Sequence, residues 1–234
     1  MNERLPIVFI PGLNCSPRLF TAQLARLWYW GPVTVADTTQ DDDIFSLARR
    51  VLTGAPERFA LVGLSMGGYI AFEMMRQEPQ RIAKLALLDT SARPDTPEQT
   101  AKRRAGIVLA EEGRFQEIVE AQYPGMVHRD RATDAELRDA FLRMAYDVGP
   151  MGYINQQKAI ISRLDARHGF YGIQCPTLVL VGDGDQLTPP ELSKEIAAGI
   201  QGSKLVISPD CGHLSAMERP DDVSQELEGW IRGW

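Results

Sequence analysis

Phe59-Ala60-Leu61-Val62-Gly63-Leu64-Ser65-Met66-Gly67-Gly68-Tyr69-Ile70-Ala71-Phe72 changes periodicity in its middle. Its first six residues are a short apolar run of the kind a fully buried strand needs. After Ser65 the apolar residues fall at helical spacing, with Ile70, Phe72, Met74 and Met75 available for an inward face, and the pattern stops before Pro79. Between the two lies Gly63-Leu64-Ser65-Met66-Gly67, which fits G-x-S-x-G. A strand that enters a helix through one tight turn brings the residues two before and two after the turning residue together, where only very small side chains fit. The serine is then held in a strained backbone conformation, its hydroxyl above the sheet at the positive end of a helix. A glycine-rich turn that binds phosphate or only packs would use similar residues. Strand before and helix after favour Ser65 as a nucleophile.

Working outward, the alternation of strand and helix continues on both sides. Residues 5–10, 33–36, 59–64, 83–88, 175–182 and 204–207 read as strands. Helices are expected over 17–27, from the aspartates before 44 to 52, over 190–200, and over 221–234. The rhythm breaks between 91 and 171, where only helical pattern occurs: 98–111, 113–121, 134–146 and 152–164. The expected fold is therefore α/β: a mostly parallel sheet of about six strands covered by helices on both faces, with a helical cap inserted after the fourth strand. Residues 1–90 and 172–234 would form the core and 91–171 the cap, or lid.

The 234 residues suffice for one large domain with an insertion. A net charge of −6 with no basic run argues against a nucleic-acid partner. No apolar stretch approaches the roughly 20 residues that span a bilayer. The start, Met1 to Pro6, runs straight into a strand and leaves no room for a signal peptide. Cys15, Cys175 and Cys211 are odd in number and far apart, so neither a disulfide framework nor a metal site is indicated. The expected location is the cytoplasm.

A serine nucleophile needs a base within hydrogen-bond reach, itself oriented by a third group. Three histidines are available. His128 and His168 lie in the expected lid in polar surroundings and read as surface or lid histidines. His213 follows the last strand in a turn-rich loop, on the sheet edge where Ser65 stands, and is the candidate base. For the acid, Gly182-Asp183-Gly184-Asp185 offers two aspartates after the fifth strand. Asp185 is favoured; Asp183 reads as capping or solvent-facing, and Asp89, after the fourth strand, is a third candidate. Charge developing on a carbonyl oxygen needs donors already in place. The backbone N–H groups of Met66 and of Leu13, in the loop Pro11-Gly12-Leu13-Asn14, are the candidates.

The order Ser65, Asp185, His213, with helices inserted after the fourth strand, resembles the α/β-hydrolase superfamily over nearly the whole chain. The specific matches are Gly63-Leu64-Ser65-Met66-Gly67-Gly68, Gly182-Asp183-Gly184-Asp185 with Thr188-Pro189, and Cys211-Gly212-His213. The resemblance implies a lidded Ser-His-Asp enzyme with no metal or organic cofactor, and favours Asp185 over Asp89. It also differs: Pro11-Gly12 stands where many members carry His-Gly, and the usual antiparallel opening strands have no counterpart.

The expected activity is hydrolysis of a small carboxylic ester or thioester through an acyl-enzyme on Ser65. The superfamily also hosts C–C bond hydrolysis and cofactor-free perhydrolysis on the same groups. C–C cleavage would want a lid cation, for which Arg143 and Arg163 are available although both read as solvated. A non-catalytic ligand receptor is the reading from another class, against which the complete set of groups argues. Tyr123, Met126, Phe141, Met144 and Tyr146 are apolar lid candidates for substrate contact, with packing the more ordinary role.

Overall fold

The computed structural model describes residues 4–233. The first three residues of the leader expected to run into a strand, and Trp234 at the end of the expected last helix, lie outside the described residues. Six strands form one wholly parallel sheet: β1 (Ile7–Ile10), β2 (Val33–Val35), β3 (Phe59–Leu64), β4 (Ile82–Leu88), β5 (Thr177–Gly182) and β6 (Lys204–Ser208), in the order β2-β1-β3-β4-β5-β6. The central strands β1, β3 and β5 are buried at every position, as a sheet covered on both faces requires.

Alternation along each strand divides the core in two. Ile7, Phe9, Val62, Leu64, Leu88 and Leu180 point to one face, where α1 (Thr21–Leu27) and the last helix (Pro220–Arg232) supply Leu27, Leu227 and Trp230. Val8, Ile10, Leu61, Leu87 and Val179 point to the other, against α2 (Ile44–Gly54), α3 (Met66–Gln77) and a helix at Pro190–Gly199. Residues 17–27 are not one helix: a 3-10 turn at Pro17–Phe20 precedes α1.

Between β4 and β5 no strand occurs among the described residues. The segment holds α4 (Pro97–Glu111), α5 (Phe115–Met126) and α6 (Ala135–Ser162). Each start is legible locally: Thr96 and Gln99 form a capping box at α4, and Asp134 accepts the Leu137 N–H at the start of α6. The two helices expected over 134–146 and 152–164 are the two halves of α6, parted by a kink. Gly149 leaves the helical region (φ 71°, ψ 171°) and Pro150 withholds a donor, so the first half stops before Gly149 and the second starts after it.

These inserted helices have their own apolar interior, continuous with the core around Leu19 and Leu214. Tyr123, Phe141 and Met144 lie in that interior, the two rings 6.0 Å apart, whereas Tyr146 is half exposed. Arg163 is not solvated. It is buried against Asp95 at 2.7 Å, donates to the Arg93 carbonyl and stacks over Tyr69 at 4.3 Å. Arg143 is exposed, as expected. No described helix is long and apolar enough to cross a membrane.

Candidate active site

The turn between β3 and α3 is set by steric exclusion. A Cβ on Gly63 would lie 2.4 Å from the Gly67 carbonyl oxygen, and one on Gly67 only 2.0 Å from the Ile10 carbonyl oxygen. With both positions reduced to hydrogen, Ser65 turns the chain at φ 55°, ψ −115°, a region that costs a non-glycine residue of order 1–3 kcal/mol. Its N–H is held by the Leu88 carbonyl at 2.9 Å, and its own carbonyl accepts the Thr90 hydroxyl at 2.7 Å. Thr90 also occupies the space a Gly68 side chain would need. The elbow is thus gripped by the strand beside it.

The six parallel strands deliver the loops at their C-terminal ends to one edge. His213 arrives after β6 and Asp185 after β5, and the structure brings both to Ser65. Ser65 Oγ lies 2.8 Å from His213 Nε2, and His213 Nδ1 lies 2.8 Å from Asp185 Oδ2. Asp185 is anchored in turn: its Oδ1 accepts the Leu187 and Thr188 N–H groups and its Oδ2 the Thr188 hydroxyl. His213 and Asp185 are buried, while Ser65 keeps partial access to solvent.

Burial alone would raise the Asp185 pKa, but the His213 charge and hydrogen bond and the Thr188 donors outweigh it and hold the carboxyl below its ordinary range. For His213 burial pulls the imidazole down, and the charges of Asp185, Asp89 and Glu218 more than offset it, so its pKa is raised. Asp89, the third acid candidate, is brought near but not into line. Its Oδ1 accepts the Gly182 N–H at 3.1 Å and its Oδ2 is hydrogen-bonded to Ser215 Oγ. Burial, then the Asp185 charge, push Asp89 well above the carboxylate range. Asp183 is solvent-facing and accepts the Cys211 N–H at 3.2 Å.

Met66 opens α3, where a helical N–H has no partner within its own helix. The loop carrying Leu13 runs beside it, since a Cβ on Gly12 would sit 3.3 Å from Ser65 Cβ. Residues the sequence reasoning passed over hold this loop in place. Asn14 adopts φ 57°, donates its N–H to Gln156 Oε1 at 3.0 Å and its side-chain amide to Gln122 Oε1 at 2.9 Å. His128 is largely covered: its side chain is 12% exposed and packs where Gly184 leaves room. His168 is exposed.

A cavity of about 400 Å³ opens where the inserted helices join the core, lined by Tyr69, Phe72, Met75, Arg163 and Ile173. It runs along α3 rather than over Ser65. No group of three or more described His, Cys, Asp or Glu residues could hold a metal ion. All three cysteines are free thiols.

Residues 47–220 match the sequence profile of the alpha/beta hydrolase fold. The chain is similar to the AB hydrolase superfamily protein YisY of Bacillus subtilis (strain 168), at 29% identity over 94% of this chain and 88% of that protein. Among solved structures, a thermophilic esterase from Thermogutta terrifontis, with malate bound, aligns with a TM-score of 0.88 at 29% identity, covering 97% of this chain and 89% of that one. The enol-lactonase of Burkholderia xenovorans LB400 aligns with a TM-score of 0.89 at 25% identity over 99% of this chain and 92% of its own. A parallel sheet with an elbow serine, and a profile match over most of its length, make the chain a member of the alpha/beta hydrolase fold family.

Proposed function

We propose that this protein is a serine hydrolase that cleaves a small carboxylic ester or thioester through an acyl-enzyme on Ser65, with the helices over 91–171 acting as a lid on the core formed by 1–90 and 172–234. The observation that carries the reading is the unbroken line Ser65–His213–Asp185, with both links at 2.8 Å. Ser65 Oγ attacks the acyl carbon while His213 Nε2 takes its proton, and Asp185 stabilises the imidazolium formed. The carbonyl oxygen, now negative, is met by the N–H groups of Leu13 and Met66. His213 returns the proton to the departing alcohol or thiol. Water, deprotonated by the same nitrogen, then releases the acid and frees Ser65.

The esterase and the enol-lactonase among the structural relatives support ester chemistry. The C–C alternative loses one of its two candidate cations, because Arg163 is already committed to Asp95 and Tyr69. Three free thiols agree with a reducing cytoplasm.

The test is intact mass after exposure to a fluorophosphonate, alongside turnover of a chromogenic short-chain ester. Wild type is expected to take one adduct, and Ser65→Ala and His213→Ala none. Ester turnover should fall by at least about 10³-fold in Ser65→Ala. Equal turnover by wild type and Ser65→Ala would sink the reading.

A further inference from the structure

His213 sits between two peptide groups that donate to one buried side chain. Glu218 is 4% exposed, and the single-turn helix Ser215–Glu218 folds it back under the loop it follows. Its Oε1 accepts the N–H of Gly212 at 3.0 Å and of Leu214 at 3.2 Å, the residues on either side of His213. Its Oε2 accepts the N–H of His128 at 2.8 Å, from the segment between α5 and α6. The same segment grips the Glu218 backbone, where Arg131 Nη1 donates to its carbonyl oxygen at 3.0 Å.

The packing around this cluster is equally close. A Cβ on Gly212 would lie 2.2 Å from His128 N, and one on Gly184 would lie 2.3 Å from His128 Cδ2. Two glycines beside His213 and Asp185 therefore leave room for residues 127–128 to wedge between the base loop and the acid loop. A buried carboxylate that accepts three N–H groups from two chain segments is a stiff joint, because each lost donor leaves charge unsatisfied in a dry site.

We propose that Glu218 is a positioning residue for His213, and that it makes the alignment of the imidazole depend on the lid segment 127–131 being seated. The proposal rests on His213 acting as the base. With the lid seated, one carboxylate fixes the peptides flanking His213 and so the reach of Nε2 to Ser65. When 127–131 lifts away, Oε2 loses its donor, the backbone of Glu218 loses Arg131, and the base loop is released with them. Lid position and base alignment become one event.

Glu218→Gln is the gentlest break, since the amide oxygen can keep the two loop donors while the amide nitrogen faces the His128 N–H. Its kcat should fall about tenfold with KM within about twofold, the size expected for losing one charge-assisted hydrogen bond in a buried site. The fluorophosphonate labelling rate should fall in parallel. Arg131→Ala, which removes the donor from the lid segment to the Glu218 carbonyl, should lower kcat and labelling in the same direction by a smaller factor. Amide hydrogen exchange should rise together in 126–132 and 211–216 in both variants.

A change of charge beside the imidazole also has a sign. His213 faces Asp185, Asp89 and Glu218, with Arg131 and His128 reaching in from the lid. Removing the Glu218 charge should move the acid limb of kcat/KM to lower pH, which a purely structural role would not do. Wild-type kcat and labelling in Glu218→Gln, or a loss of thermal stability with both unchanged, would overturn the positioning role. Normal kinetics in Arg131→Ala beside impaired Glu218→Gln, or exchange that rises in only one of the two segments, would overturn the link to the lid. A wild type that takes no fluorophosphonate would instead sink the serine-hydrolase reading, and the exchange data would still decide the joint.

Discussion

The elbow that carries Ser65 and the loop that carries His213 both place one side chain over the same sheet edge, by opposite means. The elbow is built by exclusion: two hydrogens at Gly63 and Gly67 let backbone touch backbone, and Ser65 accepts a strained conformation as the result. The histidine loop is built by attraction. Buried carboxyls of Glu218 and Asp89 collect its N–H and hydroxyl groups, with Gly212 giving the close approach to residues 127–128. Steric construction tolerates changes of charge and pH but not of volume. Polar construction tolerates small changes of volume but not the loss of a donor, an acceptor or a proton.

The largest expected effect tests the polar side. Asp185→Asn keeps the shape but reverses the polarity at Nδ1, so kcat should drop on the order of 10⁴-fold while circular dichroism and thermal unfolding change little. An unfolded variant would show that Asp185 holds the loop rather than the imidazole.

Gly67→Ala tests the steric side. The new methyl meets the Ile10 carbonyl at 2.0 Å, and β1 or α3 must move. Denaturant unfolding should report a loss of about 3 kcal/mol, the upper end for overpacking a tight site. A variant as stable as wild type would mean that the elbow is not set by steric exclusion.

Acidity sharpens the comparison further. His213 must be neutral to act as base, and its pKa is raised above the ordinary imidazole value of 6.5. The kcat/KM profile should therefore lose activity as pH falls through a value above about 6.5, not below it.

The smallest expected effect concerns Asp89, whose folded pKa lies well above the ordinary 3.8. A raised pKa contributes stability that is complete below the unfolded value and lost as pH rises through the folded one. Asp89→Asn removes that loss while keeping an acceptor for Gly182 and a partner for Ser215. Its Tm relative to wild type should climb by about 2–4 °C between pH of about 4 and about 8. A Tm difference that stays flat with pH would mean that Asp89 is ionised in the fold.

What could be read from the sequence follows the same divide. The six strands and the elbow were legible because each depends on neighbours within a few residues: apolar runs, capping residues, and glycines at fixed offsets around Ser65. Asp185 and His213 could be placed on the right edge because all strands of a parallel sheet end there. The choice among Asp183, Asp185 and Asp89 needed more. All three follow strands, and only the paths of their loops separate them.

By itself, then, the sequence determined the alternation of strand and helix, the position of the sharp turn and the side of the sheet on which chemistry could collect. Local sterics and periodicity are short-range, and they are written in consecutive residues. Only the tertiary structure decided that Arg163 is buried against Tyr69, that Asn14 is held by Gln156, and that Glu218 ties His213 to His128. Each of these joins residues from distant parts of the chain through a buried polar or charged contact. The strength of such a contact comes from desolvation, which exists only once the rest of the fold has excluded water.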